Sequence, residues 1–407
     1  MKRKFNYLLL AAMAVVSFGF VSCSDDDDFT NTIFDVTEHP LDRTAYTFPL
    51  DTFVKVNFLE PYNLRFIYRM EDIGSDKQKN LVPAAYDKSC ELAVLSKYLW
   101  YDVYKENSPE TFLQENSPRI IHVIGSKNYN PTQGTEVLGV AEGGLKITLY
   151  NVNNLNVSDM DMMNAYFFKT MHHEFGHILD QTHLRPTIFN TISSGHYNAT
   201  TWQETPDSVS MGNGFVSSYA SSSASEDWVE TLANYITMDS VRWKAMLNSA
   251  SYEWEEVDYS EDIYDKKLRG DYSRDTIGYL NVKDNGERKV YRRVCQRNGD
   301  AAQTVILDAD GNVQWVHNSG IKGDEVILQK LDLVTEWLQT YFGINIEDIR
   351  YAVQDRSYLK DENGQFVLDR LNRPINKLTL PVEGDPEGRT LIQVLLDGIN
   401  QYKTLQQ

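Results

Sequence analysis

Two histidines four residues apart with a glutamate between them, His173-Glu174-Phe175-Gly176-His177, are the residues of this chain that most directly specify chemistry. On a helix, His173 and His177 lie one turn apart on one face, where two imidazoles can reach a single zinc ion. Glu174 stands beside that face, placed to take the proton of an attacking water. Burying two histidines and a glutamate on an otherwise apolar helix is costly unless a metal or polar partners meet them.

The neighbouring sequence supplies the elements that such a pentad needs. Met160, Met163, Phe167, Met171, Phe175, Ile178 and Leu179 recur at helical spacing, and Ser158 followed by Asp161 predicts the helix start. That stripe faces a core while the two imidazoles look into a cleft. Upstream, residues 119–125 and 144–152 are rich in β-branched and aromatic side chains and bounded by Gly and Asn, which predicts strands. Residues 145–150 are the candidate edge for an extended peptide substrate, against the plainer reading that they merely pair within a sheet.

A catalytic zinc takes three protein ligands and leaves a position for water. Two residues compete for the third place. His183 lies ten residues after His173, the spacing of the metzincin pattern, but Asp180 stands where that pattern has the Gly that turns the chain. Met211-Gly212 is the segment that could serve as its Met-turn. Glu226 is the rival. Val229, Leu232, Ala233 and Ile236 predict a helix that sets Glu226 and Glu230 together one turn apart, so that one carboxylate can bind metal while the other holds a histidine by its free N–H. The same segment, Ser223-Ala224-Ser225-Glu226, also fits a capping box with no further role.

Residues 173–180, with Tyr219 seven residues before Glu226 and Glu230 following, resemble the zinc site of anthrax lethal factor and related gluzincin-type peptidases. The resemblance, local to these two motifs, implies a zincin-like metallopeptidase core with a mixed sheet over an active-site helix; the patterns of the rest of the chain complete an α+β class with a largely helical C-terminal part and a β-hairpin insertion. It implies His173, His177 and Glu226 as zinc ligands, His183 being the alternative third. Glu174 becomes the base, Tyr219 the oxyanion partner, and Asp180 and Glu230 the residues that support the ligands. His172 is expected to be exposed or in such a supporting place, and His39, His122, His196 and His317 are ordinary.

A wider resemblance takes in the leader, residues 173–179, the run Gly214-Phe215-Val216-Ser217-Ser218-Tyr219-Ala220 and the run Glu226-Asp227-Trp228-Val229-Glu230. Together these resemble the zinc-binding metallopeptidase lipoproteins of Bacteroidota, described as substrate-import-associated. That likeness implies a lipid anchor in the outer membrane and company with outer-membrane nutrient-uptake machinery but little about substrate; a peptide or protein substrate is expected because the zinc arrangement suits peptide bond hydrolysis best. An amide on a modified glycan, or binding without turnover, are the alternative functions; an intact Glu174 speaks against the second, because binding alone needs no base.

Lys2-Arg3-Lys4 precede an apolar run to Val21 that is too short for a comfortable membrane span and ends at Val21-Ser22-Cys23. This predicts a lipoprotein signal peptide over 1–22 with Cys23 lipidated, Phe20 departing from the usual Leu; a plain secretory signal is the alternative. Residues 23–32, with four consecutive Asp, read as an acidic tether and resemble a surface-export tag. Removing the three leader cations takes the formal charge from −19 to −22, which argues against nucleic acid or an anionic membrane surface as a partner.

The remaining divisions are an N-terminal scaffold over 33–110 with a helix at 84–104, a catalytic core over 110–250, a polar insertion over 251–320 and a helical part over 321–407. In the insertion, residues 304–307 and 314–317 predict a hairpin around Asp308-Ala309-Asp310-Gly311, which lacks the spaced ligands of a calcium loop. Residues 325–342 predict an amphipathic helix with Leu328, Leu331, Val334, Leu338 and Tyr341 inward and Gly343 at its end. Residues 356–374 read as loop and 391–402 as a last helix. Cys90 and Cys295 could pair in an oxidising compartment. No internal repeat, coiled coil or further transmembrane helix is evident.

Overall fold

The computed structural model describes residues 41–70, 81–129, 136–137, 139–142, 145–257, 279–284, 287–299 and 305–406. The leader, Cys23, the acidic tether and His39 lie outside these residues.

Two strands of a four-stranded sheet fall where β-branched runs were expected, and two, at 65–67 and 139–142, do not. Strand β1 (Arg65–Ile67) pairs in parallel with β2 (Ile120–Val123), and β2 in parallel with β4 (Lys146–Leu149). The last strand, β3 (Gly139–Glu142), runs antiparallel to β4, giving the order β1-β2-β4-β3. Residues 145–150 are therefore not an edge: β4 is hydrogen-bonded on both sides, and the terminal strand nearer the catalytic helix is β3. The sequence could not show this, since alternation reports which face is buried but not which strands flank it.

Between β1 and β2, Tyr86–Ser96, a π-helical turn Lys97–Tyr101 and Asp102–Asn107 follow one another as helix α1. The predicted active-site helix is α2, built from Met160–Met163, a π-helical turn Asn164–Phe168 and Lys169–Thr182. Its cap is Asp159, whose carboxylate accepts the Met162 N–H at 3.0 Å, and not Ser158. Met163, Phe167, Met171 and Phe175 follow at four-residue steps, which outrun a 3.6-residue turn. The π turn absorbs that drift, and all four side chains are buried.

Helix α3 (Ala224–Thr237) starts at Ser223, whose hydroxyl accepts the Glu226 N–H at 3.2 Å, so the capping reading and the carboxylate pair coexist. Asp239 caps α4 (Ser240–Ala250). Strands β5 (Trp254–Val257), β6 (Tyr279–Asp284) and β7 (Glu287–Arg293) form an antiparallel sheet in the order β5-β7-β6. The Asp308 hairpin follows, closed by the Leu307–Val313 bridge.

The turn that closes this hairpin recurs further along the chain. Asp308, Asp361, Asp369 and Asp385 each accept the backbone N–H groups two and four residues on. Residues 356–374, expected as loop, are two of these Asp-closed turns joined by the Tyr358–Asn376, Lys360–Phe366 and Leu368–Pro374 bridges.

Helix α5 (Gly323–Phe342) ends at Gly343, φ +64°, as its sequence predicts. Its buried face is Ile327, Lys330, Leu331, Val334, Trp337 and Leu338. Leu328 and Tyr341, assigned inward from spacing alone, are 42% and 51% exposed. Helix α6 (Ile346–Ser357) and α5 both pack on α3, and α7 (Leu391–Asn400) packs on α1. Residues from Arg43 onward form one compact unit, and one core extends from Leu50 to Ile399 through the scaffold, catalytic and C-terminal sections, while the insertion keeps a small apolar cluster of its own. Cys90 and Cys295 are both buried and free. They belong to separate apolar clusters, Cys295 lying with Val305 and Val313 under the hairpin. Among the described residues no helix is long and apolar enough to cross a membrane.

Candidate metal centre

Helices α2 and α3 pack against each other, and their closest approach passes through the pentad. A Cβ on Gly176 would stand 3.0 Å from Val229 Cγ1, so the absence of a side chain there lets α3 come in close. Val229 lies between Glu226 and Glu230 in sequence, and this approach brings both carboxylates to the histidine face.

Glu226 Oε2 lies 3.1 Å from His173 Nε2 and 3.4 Å from His177 Nε2. One ligand atom from each of the three residues falls within 4.8 Å of the other two. Ligand atoms of a tetrahedral zinc at about 2.0–2.2 Å stand about 3.3–3.6 Å apart, so these separations suit one such ion. The tautomer argues the same way. His173 Nδ1 is 2.9 Å from Glu230 Oε1 and donates to it, which leaves the Nε2 lone pair facing the Glu226 carboxylate. Two acceptors in that arrangement call for a cation between them. In the metal-free chain a proton fills the role: burial opposes the charged imidazole, but Glu226 and Glu230 together hold His173 up at about 9. Burial likewise pushes Glu226 up, and the two imidazoles reverse this and keep it well below the usual carboxylate range.

Glu230 is 1% exposed and fully engaged. Besides His173 it accepts from Lys169 Nζ at 3.1 Å, Ser217 Oγ at 2.7 Å and Asn234 Nδ2 at 3.1 Å. Its burial is outweighed by Lys169 first and then by His173 and Ser217, so it stays ionised. Glu174 is buried on α2 beside His173. The Tyr219 ring stacks on His173 at 5.8 Å, with Trp202 edge-on behind it at 4.9 Å, and its hydroxyl hydrogen-bonds to Glu226. Burial and the carboxylates around it keep Tyr219 protonated.

Four expectations are corrected here. His183 is not brought to the histidine pair. It ends α2 exposed, its ring stacked on Tyr341 at 4.8 Å. Asp180 supports no ligand. It accepts the Arg185 N–H at 2.7 Å and pairs with the Arg185 guanidinium, fastening the chain as it leaves α2. His172 is neither exposed nor beside the site but wholly buried, its Nδ1 3.0 Å from the Tyr104 hydroxyl among Trp100 and Phe175. Met211-Gly212, the candidate Met-turn, instead ends a short helix, Asp207–Gly212, with Met211 O accepting the Gly214 N–H at 2.9 Å.

Sequence reading missed Lys169, Ser217, Asn234 and Trp202. Lys169 is four residues before His173 and Asn234 four after Glu230, a helical spacing that could have marked them. Ser217 and Trp202 carry no such signal.

Two imidazoles and a carboxylate from two packed helices, beside a mixed sheet, make a candidate site whose donors suit a single zinc ion. The chain belongs to the family described as "Putative zinc-binding metallo-peptidase", whose sequence profile matches residues 43–347. It is also similar to a crystal structure described as a putative zinc-binding metallo-peptidase from Bacteroides caccae ATCC 43185. The two share 29% identity and a TM-score of 0.52, over 79% of this chain and 94% of that one. No curated protein matches the sequence.

Proposed function

We propose that this protein is a zinc-dependent peptidase whose metal is held by His173, His177 and Glu226, with Glu174 as general base. The convergence of two Nε2 atoms on Glu226 Oε2, with Glu230 fixing the His173 tautomer, carries this reading. When bound there, zinc supplies a Lewis acid that acidifies water and polarises a carbonyl. Glu174, one residue along α2 from His173, takes the proton of the attacking water and passes it to the leaving amine. Tyr219, kept protonated and already hydrogen-bonded at the centre, donates to the developing oxyanion. An extended peptide adds to the terminal strand β3, which packs along α2.

The setting completes the proposal. Cys23 carries a lipid after cleavage of residues 1–22, the acidic segment 23–32 leads the enzyme to the outer surface of the outer membrane, and hydrolysis there serves nutrient uptake. Radiolabelled palmitate incorporated by the wild type and not by Cys23→Ser is the expected result; equal labelling of both rejects the anchor.

Metal quantification on purified protein tests the centre. Wild type is expected to hold about one zinc per chain, Glu226→Ala and His177→Ala to lose it, and His183→Ala to keep it. Zinc retained by Glu226→Ala and lost by His183→Ala would overturn the ligand assignment. Peptide-library cleavage that stops on chelation and returns with zinc tests the activity.

A further inference from the structure

Lys330, midway along α5, is completely buried, although lysine is among the residues least often found so. Its Nζ lies 2.6 Å from Asp227 Oδ2, donates to Gly214 O at 2.7 Å, and sits 4.1 Å from the centre of the Phe215 ring. Asp227 is the residue next to Glu226, and its Oδ2 also accepts from the Tyr197 hydroxyl at 2.9 Å. Gly214 opens the run that delivers Ser217 to Glu230 and Tyr219 to His173.

The backbone of that run is fitted to α5 at successive turns. Gly214 has φ +88°, and a Cβ there would lie 2.4 Å from Val326 Cγ1, one turn before Lys330. A Cβ on Gly323, a turn earlier still, would lie 2.1 Å from Met211 O. Only glycine satisfies both the conformation at 214 and the two close approaches. One ammonium thus joins the two chain segments that converge on the centre, the start of α3 and the run ending at Tyr219. A buried ion pair adds little net stability over a well-packed apolar replacement, whereas its directional contacts specify geometry.

We infer that Lys330 is a positioning residue for the metal centre, clamping Asp227 and Gly214 so that Glu226, Ser217 and Tyr219 meet the α2 histidines in register. This rests on the zinc reading above. The test uses the full chain as wild type, Lys330→Met, and Lys330→Met with Asp227→Asn. The double variant removes both charges while leaving Tyr197 a partner. Zinc affinity by competition with a chelator, the Tm of the zinc-free form, kcat and KM are measured for each.

The double variant is expected to melt close to wild type yet bind zinc about 10- to 100-fold more weakly, with kcat reduced more than KM is raised. A double variant with wild-type zinc affinity and kcat overturns the inference, and so does one that cannot fold, since the pair would then serve stability alone. A wild type that takes up no zinc removes the metal reading and the inference with it. One that binds zinc but cleaves no peptide removes only the peptidase reading, because the affinity comparison still decides the role of Lys330.

Discussion

Glu226 and Glu230 are one helical turn apart, chemically identical, and do different work because of what reaches them. Glu226 meets two imidazole Nε2 atoms, while Glu230 takes an imidazole Nδ1–H, an ammonium, a hydroxyl and an amide. Glu230→Gln is therefore expected to weaken zinc binding about 10- to 100-fold without abolishing it, as losses behind a ligating histidine do. Asp180→Asn should leave zinc affinity unchanged and lower only the Tm, since its partner is Arg185; a chelator competition series separates the two. For the reaction itself, Glu174→Gln should keep its zinc and lose about 10²- to 10⁴-fold in kcat. Tyr219→Phe should keep its zinc and lose about 10²- to 10³-fold in kcat.

At the scale of the element, α2 both carries the centre and is locked into the core through His172. Burial lowers His172 from 6.5 to about 3, so the folded chain keeps it neutral while an unfolded chain protonates it. Stability from this group is full above about pH 6.5 and is lost progressively as pH falls towards about 3. Urea unfolding of the zinc-free chain across that interval should show a shallower pH slope for His172→Gln than for wild type. The α2–α3 crossing is equally specific. Gly176→Leu forces the helices apart at Val229 and is expected to cost about 1–3 kcal/mol in Tm-derived stability and to weaken zinc binding as well. A variant as stable and as zinc-competent as wild type would show that the crossing has slack.

Across the whole molecule, a single interior couples the C-terminal helices to the centre: α5 and α6 pack on α3, and Trp337 donates its indole N–H to His183 O at 3.0 Å where α2 ends. Zinc binding is therefore expected to stabilise the entire unit and not a local loop. Free zinc at about a thousand times its Kd should add about 4 kcal/mol and raise one cooperative melting transition. Two transitions, with only one moved by zinc, would contradict this. Because Cys90 and Cys295 are free and lie in separate clusters, a reductant should leave that Tm unmoved.

The pentad, the existence of α2, α3 and α5, the Gly343 stop and the strands at 120–123 and 146–149 were all legible in the chain, because each follows from spacing within one element. The π turn at 164–168 was written there too, in the four-residue steps from Met163 to Phe175, but reads as an ordinary helix until the burial of every member is seen. What required tertiary structure was every question about residues far apart in sequence. Spacing offered both His183 and Glu226 to the metal, and both Asp180 and Glu230 to a ligating histidine. Only the packing of two helices at Gly176 brings Glu226 and Glu230, and not His183 or Asp180, to the histidine pair, since a side chain's partner depends on where another element passes. The same reason hid Lys330 and the true sheet edge: a periodic pattern records that a face is covered, and the fold alone determines what covers it.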